Sequence, residues 1–248
     1  MLTKKNLKEA IKKSDLKRGD LVFCHSDLSV MKDINFSHSL LPSLLYKYII
    51  KKIGKSGTLA VPTFTYSYCN NKIFNPKNFK TYCGSLSNYI KNLKESEIYP
   101  DPNFSIAIVG KYKKELSSGL VDNTYGKNSF FDRFFKKKGK VFNINLDITS
   151  TFIHYFEREN KVKYRFDKVF YGKTKINKKL KRTKSIIFVR YLKNKYKQNL
   201  TELVAKSKKF TKSIKIKNFR INVINLNDYD EIIKKNLKKN KNFLINDL

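Results

Sequence analysis

No run of 18 apolar residues occurs in the 248-residue chain, which excludes a membrane-spanning helix. The opening stretch MLTKKNLKEAIKKSDLKRGD has no apolar centre of the kind a secretory signal needs, so a cytoplasmic protein is expected. Cysteine is scarce. Cys24, Cys69 and Cys83 make no CxxC pair and have no histidines at zinc-finger spacing. Their odd number in a reducing compartment argues against disulfides, and Cys24, inside an apolar run, reads as a small buried hydrophobe. There is no GxGxxG, no Walker loop, no HExxH and no GxSxG, so the common dinucleotide, NTP, zinc-protease and serine-hydrolase signatures are missing. Acidic residues are few: 20 against 54 basic ones, for a net charge of +34.

That charge alone would suggest a nucleic-acid partner. The basic set, however, is 47 Lys and only 7 Arg, whereas base and phosphate readers lean on arginine's bidentate fork. Lys, Asn, Ile, Phe and Tyr are all abundant, the group that AT-rich codons favour. We read the charge mainly as codon bias and expect no nucleic-acid partner. Its consequence is a positive field over any cleft, which favours anionic small molecules.

Length suits one large domain with a substantial core. Periodicity predicts helices over 4–14, 39–53, 85–94, 130–137, 150–159 and 227–240, with Pro42 in a first turn, Ser39 a candidate cap there, and Thr149 or Ser150 capping the 150–159 helix. LVFCHSDL, TLAVP, SIAIVG and GKVFNINLD read as buried strands, and the first two with their helix make a right-handed parallel crossover. The segment 63–84 is a long loop of the functional kind. After 161 the pattern turns to strands, with the basic run GKTKINKKLKRTK (172–184) read as a solvated loop. The expected fold is α/β: a mixed, largely parallel sheet flanked by helices, 1–161 forming the core and 162–248 a smaller β-rich part of the same domain.

Three strands end in polar groups, HSDLS, PTFT and NLDITS, and such ends are where α/β sheets gather ligand sites. His154 and Glu157, three apart on a helix, share a face. One pair supplies only two of the three or four ligands a metal needs, so no metal is expected. Ser26 with His154 as a hydrolase pair lacks an orienting acid and a strained elbow.

In order along the chain, GDLVFCHSDLS (19–29), GKSGTLAVPTFTYS (54–67), DPNFSIAIVG (101–110), YGKNSFFDRF (125–134), TSTFIHYFE (149–157) and the tail LKKNKNFLINDL resemble motifs of the aminoglycoside 3-N-acetyltransferase family, in particular its surface-sugar biosynthesis branch. The resemblance implies transfer of an acetyl or other acyl group from acyl-CoA to the amine of an amino sugar, expected to be nucleotide-linked and destined for a lipopolysaccharide or similar glycan. It implies His25, Ser26, Asp27, Leu28, Ser29, Thr63, Phe64, Thr65 and Ser105 around the CoA thioester, with Tyr66, Phe104, Asp147 and Arg165 toward the acceptor. His154, Glu157 and Asp101 are the implied catalytic residues. Drug-modifying members carry H-P-x-H-S where this chain has Asp101-Pro102-Asn103-Phe104-Ser105, which leaves the base open between Asp101 and the His154–Glu157 pair. The alternatives are an aminoglycoside acetyltransferase, an inactive CoA- or sugar-binding relative, and a basic nucleic-acid-binding protein. The chain admits a homodimer, but nothing in the sequence fixes its oligomeric state.

Overall fold

The computed structural model describes residues 1–191 and 197–246. Residues 192–196, within the part read as strands, and the last two residues of the tail motif lie outside the described residues. The elements in order are α1 (Lys4–Lys13), β1 (Leu21–Ser26), α2 (Leu41–Ile53), β2 (Thr58–Pro62), α3 (Ser85–Lys91), β3 (Glu97–Tyr99), β4 (Ile106–Gly110), α4 (Lys113–Ser117), α5 (Phe130–Lys136), β5 (Lys140–Ile144) and α6 (Phe152–Glu159). They continue with β6 (Arg165–Ile176), β7 (Lys179–Arg190), β8 (Lys197–Gln198), α7 (Thr201–Ser207), β9 (Lys212–Ile216), β10 (Phe219–Asn225), α8 (Leu226–Lys239) and β11 (Ile245–Asn246).

Seven strands form one mixed sheet in the order β3-β4-β2-β1-β5-β10-β9. β2, β1 and β5 run parallel at its centre, and β4 and β10 run antiparallel on either side. β3 and β9 reverse again, so five of the seven strands share one direction. The central strands are buried on both faces, which is why they read as continuous apolar runs rather than as alternation. Their side chains still sort by parity. Val22 and Cys24 face a layer built on Leu7, Leu45, Ile49 and Leu86 from α1, α2 and α3. Leu21, Phe23 and Val141 face the other layer, built on Phe130, Phe134, Phe152 and Phe156 from α5 and α6, with Tyr229 of α8.

Several expectations change on contact with the structure. β9 and β10, from the β-rich C-terminal part, complete the central sheet beside β5, so strands from both sides of residue 161 share one sheet. The run 172–184 is no solvated loop. β6 and β7 pair along twelve residues each, and the turn is only Asn177-Lys178, both with positive φ (47° and 66°), the backbone a tight hairpin requires. Lysine carries no sequence signal for that conformation, which hid the turn. Ser39 does not cap α2; it lies in a short 3₁₀ turn whose cap is Ser37, and Pro42 sits in the first turn of α2 as its fixed φ allows. Neither Thr149 nor Ser150 is the N-cap of α6, which falls at Thr151. The Ser150 hydroxyl nevertheless accepts from the Phe152 N–H at 3.4 Å.

Candidate active site

The parallel centre of the sheet puts the C-terminal ends of β1 and β5 side by side, His25 opposite Asn143 and Ser26 opposite Ile144. Asn143, fully buried, donates from Nδ2 to the carbonyls of Asp147 (2.5 Å) and Thr149 (2.7 Å) and so folds the NLDITS loop back over the strand end. α6 then starts next to His25. Parity sends His25 to the same face as Phe23, whose ring meets Phe152 of α6 edge-on at 5.3 Å. His25 Nε2 lies 3.4 Å from Ser150 Oγ and 3.5 Å from the Thr151 N–H. Burial lowers His25 to about 4, so it is a neutral acceptor at pH 7. Both histidines, His25 and His154, line one hollow of about 250 Å³, together with Thr149, Ser150, Gln198 and Leu200.

His154 is held from behind. Its Nδ1 is 2.7 Å from Glu157 Oε2, and Glu157 is completely buried. Burial on its own would raise this carboxyl. The hydrogen bond and charge of His154, the Arg165 guanidinium and the Tyr164 hydroxyl outweigh it and hold Glu157 below the usual carboxylate range. Tyr164 Oη donates to Oε1 at 3.0 Å, and Arg165 Nε stands 2.7 Å from Oε2. An ionised Glu157 takes the Nδ1 proton as its partner, which fixes the tautomer and leaves Nε2 as the basic nitrogen. Among the described residues Nε2 has no hydrogen-bond partner, and the side chain is 24% exposed. The arrangement is an imidazole oriented by a buried carboxylate.

An aromatic wall leads from this dyad to the long 63–84 loop. Tyr125 meets His154 edge-on at 5.8 Å, Phe104 meets Tyr125 at 5.6 Å, and Phe64 and Tyr66 meet Phe104 at 4.8 and 5.4 Å. Phe64, Tyr66 and Phe104 are thus joined to His154 through Tyr125, which opens the YGKNSFFDRF motif but was not among the expected site residues. Tyr66 holds a φ of 47°, a backbone state uncommon for a bulky side chain. Thr63 Oγ1 is fully buried without a partner among the described residues, and Ser26 is half-buried at the end of β1; neither lines the hollow beside His154.

Other expected site residues are committed elsewhere. Asp101 is fully buried. Its Oδ1 accepts from the Asn103 and Phe104 N–H groups and its Oδ2 from the Thr124 hydroxyl, so it clasps its own loop and does not reach an acceptor. Burial raises its carboxyl, only partly offset by those donors. Arg165 is buried against Glu157 and donates to the Phe188 carbonyl at 3.2 Å, making it the counter-charge of the dyad rather than an acceptor contact. Asp147 is exposed, ion-paired with Arg220 at 3.0 Å, and lines a neighbouring hollow. The Thr65 and Ser105 hydroxyls donate to the carbonyls of Pro102 and Thr63, both at 2.6 Å. Asp27 accepts from both the N–H and the hydroxyl of exposed Ser29, and Leu28 packs against the α1–α2 layer.

No helix among the described residues is long and apolar enough to cross a membrane. Nor does any group of three or more His, Cys, Asp or Glu among them stand where it could hold a metal ion.

The fold is a mixed α/β sheet with a carboxylate-paired histidine near its parallel strand ends, where sheets of this kind gather ligand sites. Residues 23–238 match the family model described as aminoglycoside 3-N-acetyltransferase, and the chain belongs to that family of N-acetyltransferases. The fold is similar to that of aminoglycoside acetyltransferase AAC(3)-Xa, with a TM-score of 0.81 and 14% identity over 96% of this chain and 93% of that one. AAC-IIIb in a binary complex with CoASH gives 0.78 and 14% over 96% and 97%. The YokD protein from Bacillus subtilis gives 0.77 and 16% over 97% and 100%. At these identities the likeness is one of fold. No curated protein matches the chain.

Proposed function

We propose that the protein transfers an acetyl group from acetyl-CoA to the amine of an amino sugar. The observation that carries this is the dyad: a histidine on the wall of a hollow, its outer nitrogen open and its inner nitrogen bound to a buried, ionised Glu157. Acetyl-CoA supplies a thioester carbonyl already activated toward an amine. What the chain supplies is the proton acceptor, because an ammonium has no lone pair with which to attack. His154 Nε2 takes that proton and Glu157 steadies the resulting imidazolium; as the freed amine bonds to the acetyl carbon, the thioester C–S bond breaks and the departing CoA thiolate takes up the amine's second proton. CoASH bound in AAC-IIIb supports the donor.

The family's own acceptor class, aminoglycosides, is the first reading of the acceptor. A nucleotide-linked amino sugar, as in surface-glycan synthesis, is the second. It is favoured by the lining of the hollow: among the described residues it holds no carboxylate, whereas a polycationic drug calls for an acidic wall. Thiol release from acetyl-CoA, followed with kanamycin and with nucleotide-linked amino sugars in parallel, tests both. Turnover with kanamycin alone selects the first reading and turnover with a nucleotide-linked sugar alone the second. CoA that never binds refutes the proposal.

A further inference from the structure

Two more hollows adjoin the one beside His154. The loop that gives Thr149 to the His154 hollow gives Asp147 and Ile148 to the next, of about 310 Å³. Leu200 lines the first of these and Val204, one turn along, lines the second. Lys208 is shared between that second hollow and a third, of about 540 Å³, between α7 and α8. The three follow one another along α7, from the hollow beside His154 to the gap between α7 and α8, and we treat them as one furrow.

Its walls are cationic. Lys208, Lys215 and Arg220 stand in the middle hollow, and Lys206, Lys209, Lys235 and Lys239 in the outer one. Two carboxylates oppose them: Asp147, engaged by Arg220, and Glu231. At the outer end Phe210 is 40% exposed, with Lys209 Nζ 4.8 Å from its ring centroid. Uniform lysine enrichment does not account for this combination. The hollow on the other side of the sheet, between α1 and α2, holds five lysines too, but its Tyr48 packs against the core and His154 is on the opposite face.

A ring face, then several cations, then a base is a sequence of groups that matches one chemistry. We propose that the furrow binds a nucleoside diphosphate group, its nucleobase on Phe210 and its phosphates along Lys208, Lys215 and Arg220, so that what it carries is delivered to His154. Aromatic faces accept any base, and paired phosphates match spaced ammonium and guanidinium groups. A nucleotide-linked acceptor contains such a group. The inference rests on the N-acetyltransfer reading for which end of the furrow is the reactive one.

Calorimetric titration of the whole protein with UDP, ADP, uridine and inorganic diphosphate tests it. The expected result is UDP or ADP binding tighter than either fragment, weakened roughly tenfold or more by Phe210→Ala and by Lys208→Glu with Lys215→Glu. Lys47→Glu with Lys51→Glu, in the α1–α2 hollow, should leave it unchanged. UDP that still binds at saturating CoA supports the proposal; mutual exclusion would make the furrow the CoA site alone and would overturn it. Equal loss in the α1–α2 pair, diphosphate binding as tightly as UDP, or no nucleotide binding at all overturns it. Nucleotide binding without transfer to any amine would sink the transferase reading and leave the furrow standing. Transfer without nucleotide binding would do the reverse.

Discussion

Glu157 keeps a charge where the protein interior ordinarily refuses one, because His154, Arg165 and Tyr164 surround its two oxygens. Two of these partners were legible in the sequence, since His154 lies one helical turn back and Arg165 was a candidate. Arg165's role was not, because it turns on side-chain direction: the residue points back at the helix instead of toward an acceptor. Asp101 failed for a related reason. An aspartate before proline reads equally as base or turn-former, and only the three donors on its oxygens decide. His25 gives the residue-scale test. Its ordinary value is 6.5 and burial takes it to about 4. Between those values the unfolded chain binds more protons than the folded one, so stability rises with pH and is lost as the solution is acidified. The loss should build up from about pH 6.5 to about pH 4 and be on the order of 3 kcal/mol at most, one pKa unit being worth ~1.4 kcal/mol. Urea unfolding across that range should show it, and His25→Asn should flatten it. An equally steep profile in the variant would count against a buried neutral histidine.

Among the elements, the central strands β1, β2, β4 and β5 and the helices α1, α2, α3, α5, α6 and α8 announce themselves through apolar runs and 3.6-residue periodicity, whereas the short β3, α4 and α7 do not. The β6–β7 hairpin does so only in part: the pattern after 161 turns to strands, but the run 172–184, which holds the paired ends of both strands and their turn, reads as a loop. Its outer face is lysine-rich and polar, and a strand packed on one side by a loop has no clear alternation to display. What holds it is Tyr68 from the 63–84 loop, whose hydroxyl bonds Thr174 at 2.6 Å and also meets Thr183, while Phe74 trades backbone hydrogen bonds with Lys173 and Lys175. Gly172 is required at the crossing: a methyl group there would lie 2.4 Å from the Tyr68 ring. Gly172→Ala should therefore destabilise the protein by about 1–3 kcal/mol, the usual cost of overpacking, seen as a lower denaturant midpoint. Because the same loop carries Phe64 and Tyr66, KM should rise as well. An unchanged midpoint would mean that loop and hairpin do not bear on each other.

On the scale of the whole molecule, the net charge of +34 was the loudest signal in the sequence and the least informative about the site. The dyad is small and closed on itself, while the charge is spread over the surface. Charge gains meaning only where topology gathers it, as along α7 and α8 beside the dyad. The spatial order of those hollows cannot be read from a sequence, since they join the 146–149 loop, α7 and β9–β10 across some seventy residues.

The central claim is that His154, oriented by Glu157, serves acetyl transfer to an amine. The most direct measurement is mass-spectrometric detection of N-acetylated amino sugar formed from acetyl-CoA, comparing the wild-type protein with His154→Gln. The expected result is product with the wild type and a rate lower by about 10²–10⁴-fold in the variant, the usual worth of a general base, with acetyl-CoA binding retained. A variant as fast as the wild type would contradict the account.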